Sequence, residues 1–353
     1  MASSYYALTI NAGVPHPHDK GNAMPAASTT IKLLAGAFAA GLCLASAGAW
    51  AQAAYPTQAI KFIVPYAAGG SSDTRSRQLA QKLSDTLGVP VVVDNKPGAS
   101  GNIGTGQIAT AKPDGYTIGL GNFAPMAVNQ ALYAMPFDPA KDIAPVALIE
   151  LGPMALGVSA KSPYADPAAL VSDGKANPEK LNYASTGAGS ASHLSTELFK
   201  EQTGANATHV PYRGGAPAVN DLIAGNVDFY IELPSLFLPH ASGPAPRIKM
   251  LAVASDKRVP GLPGVPTFKE LGLPNMVVSN WFGVIAPAGT PPDVIKTLNE
   301  HINRALQDKQ YREVVESQGG EVAGGTPEQF QAFIASESER WTQLIRQKQI
   351  KVQ

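Results

Sequence analysis

The sequence predicts an α/β fold in two lobes, each a mostly parallel sheet flanked by helices. Three observations carry that prediction. Short apolar runs alternate with helical segments, the pattern of strand–helix–strand units. The alternation spans residues 60–120 and restarts at residue 181. Glycine-rich turns, Gly69-Gly70 and Gly187-Ala188-Gly189, stand where a strand hands over to a helix.

In the first block Ile60-Lys61-Phe62-Ile63-Val64 reads as a strand and residues 65–73 as a turn. Leu79, Leu83 and Leu87 recur at helical spacing, so residues 74–87 form a helix that stops at Gly88. Asp73 is its capping residue. Residues 90–93 form the next strand, 101–111 a helix with a glycine-rich start, and 116–120 a third strand. In the second block residues 181–185, 207–212 and 227–232 are strands, with helices over 192–202 and 216–224. Pro291-Pro292-Asp293 opens a helix running to residue 306. Thr326-Pro327-Glu328-Gln329 is a capping box with proline at the first helical position. The helix behind it carries Phe330, Phe333, Ile334, Trp341 and Leu344, a stripe that belongs in the core. Stretches broken by proline and glycine near residues 150–153 and 272–276 join the blocks.

The chain has 353 residues, 44% of them apolar, which suffices for a sizeable core and excludes global disorder. Its 27 basic and 27 acidic residues leave no electrostatic footprint for nucleic acid or an anionic membrane. A single cysteine excludes a disulfide framework and a thiolate metal site. No cofactor is expected.

Residues 31–51 carry a secretion signal: Lys32 is the positive flank, residues 33–44 the apolar run, and Ala49-Trp50-Ala51 the small-x-small cleavage pattern. The run is rich in Ala and Gly and shorter than the roughly 20 strongly apolar residues of a membrane span. Cleavage is expected after Ala51, with Met24 the better initiator. Leu42 before Cys43 argues against a lipidated start. The mature chain is then exported and free of thiols.

In a parallel α/β sheet ligands settle at the carboxyl ends of strands, where the next helix begins. Free backbone N–H groups and the positive end of the helix dipole favour an anion there. Gly69-Gly70-Ser71-Ser72 and Thr186-Gly187-Ala188-Gly189-Ser190 both offer that chemistry, one in each block. Two such turns facing one another would hold a carboxylate without a lysine or arginine. Each could equally be a plain strand–helix connection.

Enzymatic readings are weaker. Gly187-x-Gly189-x-x-Ser192 resembles a dinucleotide fingerprint, but Ser192 replaces the third glycine and Pro211-Tyr212-Arg213 stands where an acidic residue is needed. Ser190 and His193 could serve a secreted hydrolase, yet the G-x-S-x-G elbow is missing. His193, His209, His240 and His301 lie in separate segments without metal-ligand spacing and read as surface or satisfied histidines.

An ordered set of motifs then resembles the tripartite tricarboxylate transporter substrate-binding receptors, the Bug family. It comprises Ile63 to Asp73, Val93-Asp94-Asn95-Lys96-Pro97-Gly98 with Ala99 to Gly104, Lys112-Pro113-Asp114-Gly115-Tyr116-Thr117, and Asn182-Tyr183-Ala184-Ser185 with its turn. His209 to Gly214, Ser279-Asn280-Trp281-Phe282-Gly283 and Ala286 to Pro291 continue it, from about residue 55 to 345. The resemblance implies a type II periplasmic-binding-protein fold with a ligand cleft between the lobes and no enzymatic activity. It places one lobe at residues 52–151 plus 277–353 and the other at 152–276.

It further implies a monomeric periplasmic receptor that closes on a small organic carboxylate and delivers it to a membrane permease. A receptor serving a signalling partner is the neighbouring possibility. The implied site is Tyr66, Ala68, Gly69, Gly70, Ser71 and Ser72 on one side. Thr186, Gly187, Ala188, Gly189, Ser190 and His193 stand on the other. Asn122, Phe123 and Glu232 complete it. Phe123 replaces a polar residue and Glu232 an aspartate common in the family. That suggests an aromatic or dicarboxylic ligand, with Glu232 near a ligand amine or hydroxyl and Phe123 either stacked on the ligand or, equally, packing at the lobe edge. Arg213 is read as bracing its own loop.

Overall fold

The computed structural model describes residues 55–212 and 214–351. The secretion signal with its cleavage at Ala51, and Arg213, lie outside the described residues. The chain runs β1 (Ile60–Val64), α1 (Ser71–Leu87), β2 (Val91–Asn95), α2 (Asn102–Ala109), β3 (Thr117–Asn122) and β4 (Ile143–Pro153). It crosses into β5 (Ala155–Ser159), α3 (Pro167–Ala176), β6 (Asn182–Ser185), α4 (Ala191–Thr203), β7 (Thr208–Pro211), α5 (Gly215–Ala224), β8 (Phe229–Glu232), α6 (Pro234–Ala241) and β9 (Ile248–Val253). It returns through β10 (Ser279–Pro287), α7 (Pro292–Leu306), α8 (Lys309–Ser317), β11 (Glu321–Val322) and α9 (Pro327–Gln347).

The first sheet has the order β11-β4-β10-β3-β1-β2 and the second β7-β6-β8-β5-β9. Both contain the predicted parallel units: β1 between β2 and β3, and β6 between β7 and β8. The sheets are mixed rather than mostly parallel. The strands that carry the chain between lobes, β4, β5, β9 and β10, pair antiparallel with each other or with the parallel core. A strand that leaves one sheet and returns to it by the same edge must run against its neighbour, so the crossings themselves impose the mixture.

The two crossings are laced together. Met154 N donates to Val278 O at 3.0 Å, Ala254 N to Met154 O at 2.7 Å, and Val278 N to Ala254 O at 3.0 Å. All three residues are buried. Each backbone polar group there finds a partner on the other crossing or within the return itself, which is what buried connections require.

Helix α1 buries Leu79 and Leu83 completely and ends at Gly88, whose φ of 72° closes the helix in the left-handed region that glycine favours. It begins at Ser71, before the predicted residue 74. Helix α9 shows the full capping box, Gln329 N to Thr326 Oγ1 at 3.3 Å and Thr326 N to Gln329 Oε1 at 2.9 Å. Its aromatic stripe is core: Phe330 meets Trp281 edge-to-face at 5.7 Å, and Trp341 meets Phe123 at 5.2 Å. Burying each such ring contributes about 2–3 kcal/mol.

Candidate functional site

The turn after β1 leaves the start of α1 open. Gly70 is the N-cap residue and no side chain accepts from the first-turn amides. Ala68, Gly69, Gly70 and Ser71 are all exposed and Ser72 is half-buried. Asp73 does not cap α1 as expected; it lies inside the first turn and reaches backwards. It accepts Gly69 N–H at 2.9 Å, Arg77 Nε at 3.0 Å and Asn95 Nδ2 at 3.0 Å. The bond from Arg77, then those from Gly69 and Asn95, hold its carboxyl down at about 2 against the opposing cost of burial. Asp73 therefore stays ionised and fixes the turn. The Gly69 amide is committed to it, and the donors this turn has left over lie from Gly70 onward.

Tyr66 and Asn122 form the adjoining wall. Tyr66 OH donates to Asn122 Oδ1 at 2.5 Å, while Asn122 Nδ2 donates to Trp281 O at 2.8 Å and Asn280 Oδ1 at 3.0 Å. Burial pushes the Tyr66 phenol up, so it remains a donor. Phe123 does not follow the expectation of a ligand-stacking ring. It is 1% exposed and committed to Trp341 of α9.

The turn after β6 is built differently. Gly187 N donates to Ser185 Oγ at 3.0 Å, Gly189 N to His193 Nδ1 at 3.0 Å, and Thr186 N to Ser192 Oγ at 3.0 Å. Ser190 N-caps α4, donates its hydroxyl to Gly187 O at 2.7 Å, and lies 3.0 Å from Ser192 Oγ. Ala188 is the centre of this loop and is half-buried. The Ser190–His193 dyad of a hydrolase is not formed, because the Ser190 hydroxyl serves a carbonyl and His193 Nδ1 serves an amide.

Glu232, the last residue of β8, is 8% exposed and its carboxylate is bonded within the protein. Its Oε2 accepts Tyr230 OH at 2.9 Å and its Oε1 accepts Leu233 N at 2.9 Å. Burial raises its pKa, opposed by bonds from Leu233, Tyr230 and Ser192. Ser192, which bonds Thr186 and Ser190, also lies close enough to Glu232 to draw its carboxyl down. The segment after Glu232 meets the first lobe. Leu233, Pro234 and Ser235 line one small crevice with Ser71, Arg75 and Glu150. A Cβ on Gly152 would meet Leu233 at 2.6 Å, and one on Gly319 would meet Pro234 at 2.8 Å. Both turns therefore flank the same run from Glu232 to Ser235.

Sequence reasoning missed three groups here. Arg75 sits one turn into α1, 5% exposed, ion-paired with Glu150 and bonded to Gln318 Oε1 at 3.0 Å. Burial lifts Glu150 while Arg75 draws it down. The cation near the open helix start is therefore already neutralised. Ser192, 0% exposed, organises the second turn. His209 packs face to face on His193, ring centroids 4.1 Å apart. The register of β7 on β6, which sets His209 opposite Tyr183, brings it there, and no local pattern in the sequence marks that pairing. A separate groove of about 670 Å³ on the first lobe, beside α9, is lined by none of the predicted site residues.

The chain matches the tripartite tricarboxylate transporter family receptor model over residues 76–350. It is 41% identical over 313 residues to the protein BugT of Bordetella pertussis, covering 87% of this chain and 95% of that one. The solved periplasmic binding protein BugD is 36% identical with a TM-score of 0.73, covering 85% of this chain and all of that one. A Rhodopseudomonas palustris protein solved with adipate is 35% identical with a TM-score of 0.77, at the same coverage. Two mixed sheets with two laced crossings, an open helix start and an agreement spanning most of the chain lead to one assignment: this chain belongs to the tripartite tricarboxylate transporter receptor family, whose members are non-enzymatic solute-binding proteins.

Proposed function

We propose that this protein captures a small organic carboxylate in the periplasm and presents it to the permease of a tripartite transporter. One observation carries the reading. Helix α1 starts on exposed glycines with no side chain capping its first amides, while the one buried cation beside it is paired with Glu150. An open helix start whose nearby charges are already paired, Asp73 with Arg77 and Arg75 with Glu150, favours a carboxylate held by backbone N–H groups. The proposed grip runs from Gly70, Ser71 and Ser72 to the turn at Thr186 to Ser190. His193 shapes that second turn through the Gly189 amide, and Glu232 lies near it through Ser192. With Phe123 turned into the core, an aromatic ligand loses the residue that motivated it, and a mono- or dicarboxylate with an aliphatic body is favoured.

The proposed lobes are residues 52–151 with 277–353, and 152–276; the laced crossings at Met154 and Val278 support hinges near those boundaries. Closure would then be a rigid-body motion around the ligand. The exported mature chain is proposed to begin after Ala51 and to act as a monomer. Calorimetry with adipate, malate, benzoate and the neutral diamide of adipic acid tests the reading. Binding of a carboxylate with rejection of the diamide is expected; equal binding of the diamide would overturn it.

A further inference from the structure

The second-lobe turn rests on a stack of rings that the carboxylate grip does not itself require. Tyr183 on β6 lies opposite His209 on β7 in the parallel register. Their rings stack at 5.0 Å and 17°, and His193 continues the stack at 4.1 Å and 9° from His209. His193 holds one glycine amide of the turn directly, and His209 lies against the hydroxyl that holds another. Gly189 N–H donates to His193 Nδ1 at 3.0 Å. Gly187 N–H donates to Ser185 Oγ at 3.0 Å, and the Ser185 hydroxyl lies 2.6 Å from His209 Nε2.

These bonds dictate protonation. A nitrogen that accepts an amide hydrogen carries no proton, so His193 is neutral with its hydrogen on Nε2. Ser185 Oγ has two lone pairs, so it accepts from Gly187 whichever way its hydrogen bond with His209 Nε2 runs. A proton added to His193 Nδ1 would face the Gly189 N–H. One added to His209 would leave the Gly187 bond in place but set a positive ring against His193. The two rings, in face-to-face contact, also oppose a shared positive charge.

The charged groups around the stack are few. On α4, Glu197 accepts from Tyr183 OH at 2.7 Å and pairs with Lys200 at 2.7 Å; Lys200 lies 5.4 Å over the Tyr183 ring. On β8, Glu232 bonds Tyr230 and reaches Ser192. Glu197 favours protonated rings and Lys200 opposes them, but burial dominates both. It holds His193 down at about 4, and lowers His209 from the ordinary histidine value.

We propose that His193 is a positioning residue for ligand capture: as a neutral ring it pins the Gly189 amide, and its protonation frees that amide and weakens the grip. This rests on the carboxylate-receptor reading of the same site. Linkage gives the direction. Both values are depressed in the folded protein, so the pinned turn is intact at neutral pH. It is lost as pH falls through about 4, where the folded His193 ring takes up its proton.

The test pairs the wild type with His193→Asn, whose amide oxygen replaces the ring acceptor without titrating. Taken at each pH, the ratio of wild-type to variant adipate dissociation constants cancels the ligand's own titration. It should rise about twofold between pH 7.5 and 4, where a ring held at about 4 is half protonated. In ligand-free, 15N-labelled protein the Gly189 amide resonance should shift with acidification in the wild type, with its midpoint near pH 4, and stay flat in the variant. His193→Gln, with circular dichroism at each pH, serves if His193→Asn does not fold. Parallel pH profiles for wild type and variant, or a Gly189 resonance that does not move in the wild type, overturn the proposal. If adipate and malate fail to bind the wild type at pH 7.5, the receptor reading has failed, while the Gly189 resonance still decides the role of the ring.

Discussion

The two glycine-rich turns look alike in composition and differ in how many of their amides are already satisfied. After β1, only Gly69 is tied back, to Asp73, and α1 starts without a side-chain cap. After β6, Thr186, Gly187 and Gly189 all donate to Ser192, Ser185 and His193, and Ser190 caps the helix. The difference comes from the side chains around the glycines. An aspartate four residues after Gly69 pulls a single amide, whereas serines and a histidine within one helical turn pull nearly all of them. One turn is an open cradle; the other is a braced loop with Ala188 at its tip. If a carboxylate lies between them, most of its hydrogen bonds come from the first lobe.

That asymmetry is broken most directly by Ser71→Glu. Ser71 is exposed in the first turn of α1. A carboxylate there takes the favourable place for an anion while suiting the helix dipole. Adipate affinity should therefore fall on the order of 100-fold with no loss of stability. Calorimetry alongside urea unfolding checks both halves, and unchanged affinity would move the anion away from α1.

Asp73→Ala probes what keeps the open turn in place. The side chain is 4% exposed and receives three hydrogen bonds, so its removal should cost about 2–3 kcal/mol of stability. Because its carboxyl is depressed to about 2, this contribution is complete above the ordinary aspartate value and lost as pH falls through about 2. Urea midpoints of wild type and variant should differ at pH 7 and converge as pH approaches 2. A constant gap across that range would remove the charge from the account.

Why the sequence revealed the elements but not these bonds is a matter of range. Leu79, Leu83 and Gly88 lie within one helix, and Thr326 with Gln329 within one turn, so local spacing reads them directly. Strand β4 contains Pro145, Gly152 and Pro153 and looks like a broken linker. Its hydrogen bonds run to β10, which enters the chain at Ser279, so no local pattern marks it. Asp73 resembles an N-cap by composition; only the partners Gly69, Arg77 and Asn95 show that it points the other way. Four histidines in separate segments read as unrelated until β6 and β7 align and bring His209 against His193.

On the braced side, Ser192→Ala removes one hydroxyl that serves Thr186 N at 3.0 Å, Thr186 Oγ1 at 3.2 Å and Ser190 Oγ at 3.0 Å. Ser192 is fully buried, so a loss of about 1–2 kcal/mol in stability is expected. Adipate affinity should fall only a few-fold, far less than for Ser71→Glu. Equal losses at the two positions would show that both lobes share the ligand evenly.

The smallest effect on binding belongs to Phe123→Leu, and it separates position in sequence from position in the cleft. Phe123 directly follows Asn122, whose amide bridges Tyr66, Asn280 and Trp281 in the wall of the first lobe. From that neighbourhood alone an aromatic wall for the ligand follows naturally. Its ring instead takes the opposite direction, into the space between β3 and α9, where Trp341 presents an edge-to-face partner. Truncation to leucine leaves a void in the core and forfeits that ring pair, costing about 1 kcal/mol. The ratio of affinities for benzoate and adipate should stay within about twofold of the wild type. A selective loss of benzoate binding would mean that the ring turns toward the cleft when ligand arrives, and would restore an aromatic preference to the first lobe.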